Sequence, residues 1–130
     1  MFLDYGGIRV RDLDRSVRFY TRGVGLREKR RGTMDHGGVW VLLEDRHSRQ
    51  RLELNWYPPK SKYAARYTVG EGLDHLGFRT AHVAKMVRRL ESAGAHLVDR
   101  IEDAGVLEVA FLTDPDGLWI ELIRTPTAKD

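Results

Sequence analysis

The sequence predicts an α+β fold of two tandem βαβββ modules, which form a curved, open, barrel-like mixed sheet with the helices outside. One repeat that predicts this fold comprises residues 7–9, Gly-Ile-Arg, and 77–79, Gly-Phe-Arg, which each follow a strand-like start and precede an amphipathic helix. A second repeat lies near the end of each half, where Leu-Glu-Leu at 52–54 matches Ile-Glu-Leu at 120–122. Such self-similarity indicates that one structural unit occurs twice.

Module 1 covers about residues 1–57. Asp12 is a suitable N-cap for a helix whose apolar face includes Leu13 and Val17. Gly23 and Gly25 are predicted to end that helix, because glycine adopts the left-handed backbone conformation at low cost. Strands are predicted over residues 3–10, 26–31, 39–44 and 50–56, with a hairpin-type turn at 35–38.

Module 2 covers about residues 72–125 and repeats this plan. Its helix presents Val83, Val87 and Leu90 on one face and ends at Gly94. Strands are predicted over 73–80, 96–101, 106–112 and 118–124, with turns at 103–105 and 114–117. The segment of about residues 58–71 is predicted to be an ordered linker, and we expect the whole chain, residues 1–130, to be one domain.

Composition excludes several classes of protein. A chain of 130 residues with 42% hydrophobic content has room for one core. It contains neither an apolar run of ~20 residues nor a signal-peptide pattern, so we expect a cytoplasmic protein without a membrane partner. With no cysteine, thiolate chemistry and Cys-type zinc sites are excluded. The net charge of +3 comes without a nucleic-acid-binding motif, which favours a small-molecule substrate over nucleic acid.

Alternation along the predicted strands places polar side chains on the face away from the core. Glu53 and Glu121 each lie between two aliphatic residues, so they point away from the side that the helices cover. Carboxylates and imidazoles can ligate a divalent metal, although solvent-facing strands show the same alternation. We expect Phe19, Tyr20, Phe78 and Phe111 in the core. The polar candidates are Tyr5, Arg9, Glu53, Asn55, His75, Arg79 and Glu121, with Trp56 and Trp119 beside them.

Four segments resemble the vicinal oxygen chelate superfamily, which contains glyoxalases, bleomycin-binding proteins and extradiol dioxygenases. They are residues 7–20, 52–54, 74–76 and 114–122. Within the superfamily the chain is most similar to the glyoxalase I (lactoylglutathione lyase) branch, because a glutamate inside the fourth strand is followed by Asn-Trp. The resemblance covers nearly the whole chain.

The resemblance implies a divalent metal ion, one of Ni, Zn, Mn, Co or Fe, held by Glu53, His75 and Glu121. Tyr5 takes the fourth corner, where many relatives have histidine, and a neutral phenol is a weaker ligand for Zn²⁺ or Ni²⁺. It also implies proton transfer through a metal-bound enediolate, on a hemithioacetal or another 2-oxoaldehyde-derived substrate. Glu121 is the leading general base, and Glu53 is the second candidate.

Substrate binding is implied for Arg9, and we assign it also to Asn55, Arg79, Trp56 and Trp119. Arg9 matches an arginine that meets glutathione in glyoxalase I, so glutathione or another thiol is the implied co-substrate. A second basic position used by some relatives holds Glu71 here, which weakens the match to glutathione itself. Small members of the superfamily are commonly homodimers, and we expect a homodimer.

Two other functions fit the same residues. One is a non-catalytic protein that binds an antibiotic-type small molecule between aromatic side chains. The other is an iron-dependent ring-cleaving dioxygenase that uses His75 and Glu121, for which Tyr5 would supply a phenolate ligand.

Overall fold

The computed structural model describes residues 5–61, 68, 73 and 75–126. The chain divides into two compact units, residues 1–67 and 68–130, and the division falls inside the predicted linker. Most of that linker and the predicted start of the first strand at residue 3 lie outside the described residues. Each unit is a βαβββ module, so the predicted two-module α+β fold is confirmed.

Unit 1 is a four-stranded mixed sheet with strand order β1-β4-β3-β2. β1 runs parallel to β4, and the other neighbouring strands are antiparallel. A short helix connects β1 to β2 and packs on β4. The elements are β1 Gly6–Arg9, α1 Leu13–Arg18, a π-helical segment Phe19–Val24, β2 Arg27–Thr33, β3 Val39–Glu44 and β4 Arg51–Trp56.

Local signals explain where the first helix begins and ends. The Asp12 carboxylate accepts a hydrogen bond from the Arg15 backbone N–H at 3.0 Å, which confirms the predicted N-cap. Gly25 ends the helical region with φ of 98°, in the left-handed conformation. The second half of this region is π-helical, where the sequence predicts a regular α-helix. Phe19 and Tyr20, which begin the π-helical segment, are both fully buried, as predicted for core aromatics.

Unit 2 repeats the architecture with strand order β5-β8-β7-β6 and β5 parallel to β8. Its strands differ from the predicted ones by one or two residues at their ends: β5 begins at His75, whereas the prediction begins at residue 73. The elements are β5 His75–Thr80, α2 Val83–Ser92, β6 His96–Asp103, β7 Val106–Thr113 and β8 Trp119–Arg124. Among the described residues, no helix is long and apolar enough to cross a membrane.

The two turns of unit 2 follow their sequences. Ala104 and Gly105 have φ of 47° and 78°, and two successive residues with positive φ make a tight turn that suits the twist of a hairpin. In the β7–β8 turn, the buried Asp114 carboxylate accepts hydrogen bonds from the backbone N–H groups of Asp116 and Leu118, both at 2.8 Å. These bonds fix the turn that brings β8 back alongside β7.

Alternate strand residues form the apolar core of each unit. In β4, Leu52 and Leu54 are buried, so Glu53 between them lies on the opposite sheet face. In β8, Ile120 and Leu122 are buried and enclose Glu121 in the same way. We call the face that carries the glutamate the polar face of each sheet. Both four-stranded sheets have two edge strands and are open.

Candidate active site

The parallel pairing of β1 with β4 assembles the polar face of unit 1. Gly7 lies directly opposite Glu53, and Arg9 lies opposite Asn55. Tyr5 immediately precedes β1 and is 44% exposed. Unit 1 therefore positions one candidate metal ligand, Glu53, beside two of the predicted substrate-binding residues.

On the parallel neighbouring strand, the residue opposite each glutamate is a glycine, and this sets the space on that side of the carboxylate. A Cβ atom added at Gly77 would be 3.8 Å from Glu121 Oε2, an ordinary contact. One added at Gly7 would be 3.2 Å from Asn55 Nδ2, a tight contact. Glycine at both positions leaves no side chain directly opposite either glutamate on the parallel neighbouring strand.

A cation and two aromatic rings form a group at the end of β4. The Arg9 guanidinium lies 5.1 Å from the centroid of the Tyr57 ring, within the range of a cation–π interaction. The third member of this group is His36, whose ring stacks on the Tyr57 ring with centroids 5.7 Å apart. Tyr57 thus holds the charged end of Arg9 near the strand end. Sequence reasoning identified Arg9 and missed both rings, which lie in turn and strand-end positions without a periodic pattern.

In unit 2, His75 and Glu121 are in direct contact. His75 Nε2 lies 3.2 Å from Glu121 Oε2, and the two side chains are 41% and 21% exposed. The parallel register explains the contact, because His75 pairs with Trp119 and Gly77 pairs with Glu121, so the histidine is diagonal to the glutamate across a glycine. The structure therefore brings together two of the three ligands that the sequence predicts.

The spacing of these two atoms suits a shared metal ion. Ligand atoms that bind one ion at about 2.0–2.2 Å lie roughly 3–3.5 Å from each other. The separation of 3.2 Å between His75 Nε2 and Glu121 Oε2 falls in this range. An imidazole nitrogen and a carboxylate oxygen are also a donor pair that Zn²⁺, Ni²⁺, Mn²⁺ and Fe²⁺ accept. Within the described part of each unit, no three His, Asp or Glu side chains form a metal-type group.

Aromatic side chains flank the His75–Glu121 pair. Trp119 is 37% exposed, and its ring centroid lies 6.2 Å from that of Phe111. Phe111 pairs directly with Glu121 and is half-buried on the polar face, so its assignment to the core is wrong. The period of two explains the error, since the buried residues of β7 are the neighbours Ala110 and Leu112. Phe78, by contrast, lies on the opposite face of β5 from His75 and Gly77.

The two tryptophans of unit 1 lie on opposite faces of the sheet, and the one on the polar face is not the one that the sequence predicts. Trp56 has the same parity in β4 as Leu52 and Leu54, so it lies on the core side and not beside Glu53. Trp40, which sequence reasoning missed, pairs with Asn55 on the polar face, and Leu42 pairs with Glu53. The signal was available in β3, where buried Val41 and Leu43 identify the core side. Arg79 lies on the polar face of unit 2, opposite Ile123.

Comparison with known proteins places this architecture in a family. A family model for the glyoxalase/bleomycin resistance protein/dioxygenase superfamily matches residues 3–122. The lactoylglutathione lyase of Pseudomonas aeruginosa is 31% identical over 90% of this chain and 78% of its own length. The trypanothione-dependent glyoxalase I of Leishmania major superposes with a TM-score of 0.75 at 27% identity, over 95% of this chain and 87% of that one.

A Streptomyces antibiotic-binding protein has the same fold, with a TM-score of 0.68 at 22% identity over 97% of both chains. The fold therefore serves both enzymes and binding proteins. Because the family model spans nearly the whole sequence and an enzyme relative matches most of it, this chain belongs to the glyoxalase/bleomycin resistance protein/dioxygenase superfamily.

Proposed function

We propose that this protein is a metal-dependent lyase or isomerase of the glyoxalase I type. The observation that carries the proposal is the contact between His75 Nε2 and Glu121 Oε2 at 3.2 Å, beside the glycine that leaves Glu121 accessible. A glutamate in such a position can ligate a metal ion and also exchange a proton with a substrate carbon. Similarity to lactoylglutathione lyase supports the assignment.

Unit 2 supplies His75 and Glu121, and unit 1 supplies Glu53 at the equivalent position of the repeat, opposite its own glycine. We propose that these three residues bind one divalent ion, with Tyr5 as a hydrogen-bonding residue at the fourth corner. The bound ion would polarise the substrate oxygens and stabilise negative charge that develops on them. We also propose that the protein is a homodimer.

Glu121 performs the proton transfer. Its carboxylate removes a proton from the carbon next to the carbonyl group and returns it to the former carbonyl carbon, while the proton of the substrate hydroxyl group moves to the oxygen on that carbon. His75, in contact with Glu121, fixes the orientation of the carboxylate. The substrate is a hemithioacetal or another 2-oxoaldehyde-derived compound, and Arg9, Asn55 and Arg79 bind its polar groups. Trp119 and the half-buried Phe111 and Trp40 provide flat apolar surface for its remaining atoms.

The direct test is product formation from methylglyoxal and a thiol. The protein is incubated with Ni²⁺, Zn²⁺, Mn²⁺ or Co²⁺ in turn, with glutathione and with other thiols, and the thioester product is measured by chromatography. Glu121→Gln should lower kcat about 10²–10⁴-fold, because it removes the base. Glu91→Gln, an exposed change on α2, is the matched control and should retain full activity. Absence of product with every ion and thiol would refute the proposal.

One observation favours a second candidate function. The partly exposed Trp119 and its neighbour Phe111 form an aromatic surface that a planar small molecule could stack on, as expected for a non-catalytic binding protein. Quenching of tryptophan fluorescence by planar aromatic compounds, in protein without catalytic activity and without metal, would support that candidate. Loss of the quenching in Trp119→Leu would locate the compound on this surface.

A further inference from the structure

Glu44, the last residue of β3, is enclosed by four cationic side chains. Only 1% of its side chain is exposed, and the groups around it are themselves between 33% and 65% exposed. The contacts to its carboxylate are Arg49 Nη1 at 3.3 Å, Arg27 Nη2 at 3.4 Å, Arg51 Nε at 3.4 Å and Lys29 Nζ at 3.6 Å. We call these five residues the Glu44 cluster, and we propose that it binds the phosphate-type dianionic group of a small molecule.

The net charge of the Glu44 cluster favours an anionic ligand. The Glu44 cluster holds four positive charges and one negative charge, so it carries a net charge of +3 (four minus one), which attracts an anion. The distances of 3.3–3.6 Å exceed the 2.7–2.9 Å or so of strong charge-assisted hydrogen bonds, because three of the cations share the oxygen Oε1. A dianion on the outer side of the cations would neutralise most of the excess charge.

The arrangement of the cations also suits an anion. The cluster draws its cations from three places, β2, β4 and the loop between β3 and β4, so they converge from several directions. Arg27 and Arg49, the most exposed members at 46% and 65%, each approach Glu44 through a terminal nitrogen. A guanidinium carries five N–H donors, and its planar fork matches the oxygens of a phosphate group. The arginines can therefore contact Glu44 and an outer anion together.

The backbone conformation at Arg49 is unusual for an arginine. Arg49 has φ of 63°, in the left-handed region that glycine or asparagine adopts more easily. The loop holds this conformation firmly, because Asp45 Oδ1 accepts hydrogen bonds from the N–H groups of His47 and Ser48, both at 2.8 Å. An arginine at a position that favours glycine is an unfavourable backbone choice, which is typical of functional sites. Its guanidinium reaches Glu44 from there.

The position of the cluster relates it to the candidate active site. Arg51 is two residues before Glu53 on β4, and Glu44 pairs with Arg51, so the cluster lies on the polar face of unit 1. Two strand residues span about 7 Å. An anionic group in the cluster would thus be the remote end of a ligand whose other end reaches Glu53, a placement that rests on the proposed function. Anion binding itself is independent of that function.

The test is isothermal titration of the full chain with inorganic pyrophosphate and with inorganic phosphate at constant ionic strength. The wild type should bind with saturation. Arg49→Gly should weaken binding about tenfold or more, as expected for a lost charge-assisted contact. Glycine suits the backbone at this position, which offsets part of the lost contact to Glu44, and the variant should remain folded at the assay temperature. Glu44→Gln should strengthen binding several-fold, because a competing carboxylate is removed.

Arg46→Gly is the matched control, since it removes the same charge from an exposed position of the same loop outside the cluster. It should bind within about twofold of the wild type, because a charge outside the cluster contributes only a screened long-range term. The proposal is overturned if the wild type shows no saturable binding at millimolar anion, or if both glycine variants lose affinity equally. These outcomes do not depend on catalysis, so they separate this proposal from the proposed enzyme activity.

Discussion

Gly7 and Gly77 occupy equivalent positions in the two units, each directly opposite a glutamate on the parallel neighbouring strand. Glycine at these positions leaves the place directly opposite Glu53 and Glu121 on the parallel strand without a side chain. His75 can therefore cross diagonally to Glu121, and Asn55 can occupy the space beside Gly7. Single residues with no side chain thus determine which polar groups can approach the candidate ligands.

Replacing Arg9 by methionine tests its role in substrate binding. Methionine retains an unbranched apolar stem next to Tyr57 but removes the charge. We expect KM to rise about tenfold, as for a lost charge-assisted hydrogen bond, with kcat within about twofold, because the contact is equal in ground state and transition state. Steady-state kinetics of Arg9→Met, beside the exposed control Arg88→Met, would measure KM and kcat. A fall in kcat at unchanged KM would instead place Arg9 in the chemical step.

Within a single strand, the alternation of side chains separates the core from the candidate site. In β3, buried Val41 and Leu43 lie on the core side, while Trp40, Leu42 and Glu44 lie on the polar face. Trp40 packs over Gly32 of the neighbouring strand, where an added Cβ would be 2.7 Å from the indole ring. The position of this tryptophan is therefore set by a glycine on β2.

This packing predicts a context-dependent effect of Gly32→Ala. In the wild type the added methyl group collides with Trp40, and we expect a loss of about 1–3 kcal/mol in the free energy of unfolding. In a Trp40→Leu background the collision is relieved, and the same change should be neutral or stabilising, because alanine is favoured over glycine in a strand. Urea unfolding of the wild type, Gly32→Ala, Trp40→Leu and the double variant measures the effect of Gly32→Ala in each background. Equal losses in the two backgrounds would refute the packing account.

The β7–β8 turn depends on one buried carboxylate. Asp114→Ala should lower the free energy of unfolding by about 2 kcal/mol or more, since two backbone N–H groups lose their acceptor. Asp114→Asn is the matched variant, because it retains an acceptor oxygen while removing the charge, and it should cost less. Thermal or urea unfolding distinguishes the two. If both variants lost the same stability, the charge and not the hydrogen bonds would be responsible.

The elements were predictable where the signal is local. The Asp12 cap, the stop at Gly25 and the tight turn at Gly105 follow from the sequence, because each depends on the chemistry of one residue. The strand ends and the π-helical segment were not predictable, since they depend on ladder partners and on burial of Phe19 and Tyr20.

The candidate site was predictable in part. Alternation correctly placed Glu53 and Glu121 on the side away from the core. The same rule, extended to the end of β4, would have placed Trp56 with Leu54 on the core side. The diagonal contact between His75 and Glu121 required the parallel register of β5 and β8, which no local pattern in the sequence specifies.

At the scale of the whole molecule, the two units share one architecture and differ in charge. The register position that holds Glu44 and Arg51 in unit 1 holds Thr113 and Trp119 in unit 2. The cationic cluster is therefore a feature of unit 1, while the corresponding place in unit 2 carries an aromatic side chain. The repeat thus provides two equivalent glutamates in surroundings of different chemistry.

Carboxylates with lowered pKa values make stability depend on pH. Desolvation opposes ionisation of Glu44, but the charges of Arg49 and Lys29 and the hydrogen bond from Arg51 outweigh it and lower its pKa from 4.5. A group with a lower pKa in the folded state stabilises the fold above its unfolded-state pKa, and this contribution is lost as the pH falls through the folded-state value. Asp45 acts in the same direction, chiefly through the hydrogen bond from the Ser48 backbone.

We therefore expect the wild type to lose stability as the pH falls from about 5 toward 3. Glu44→Gln should be less stable than the wild type at neutral pH, and the difference should narrow over this interval, because the wild-type carboxylate becomes protonated. Urea unfolding at several pH values measures the difference. Glu91→Gln, an exposed change on α2, is measured beside it as the control. A pH-independent gap for Glu44→Gln would show that its charge does not stabilise the fold.

The central claim, a metal-dependent enzyme that uses Glu121, is tested most directly by elemental analysis. Protein purified without added metal or chelator is measured by mass spectrometry, beside Glu121→Ala and Tyr5→Phe. We predict stoichiometric Ni, Zn, Mn or Co in the wild type, its loss in Glu121→Ala and its retention in Tyr5→Phe. Iron with a phenolate absorption band that disappears in Tyr5→Phe would indicate the dioxygenase instead. A wild-type protein that holds no metal, even after incubation with each ion, would contradict the account.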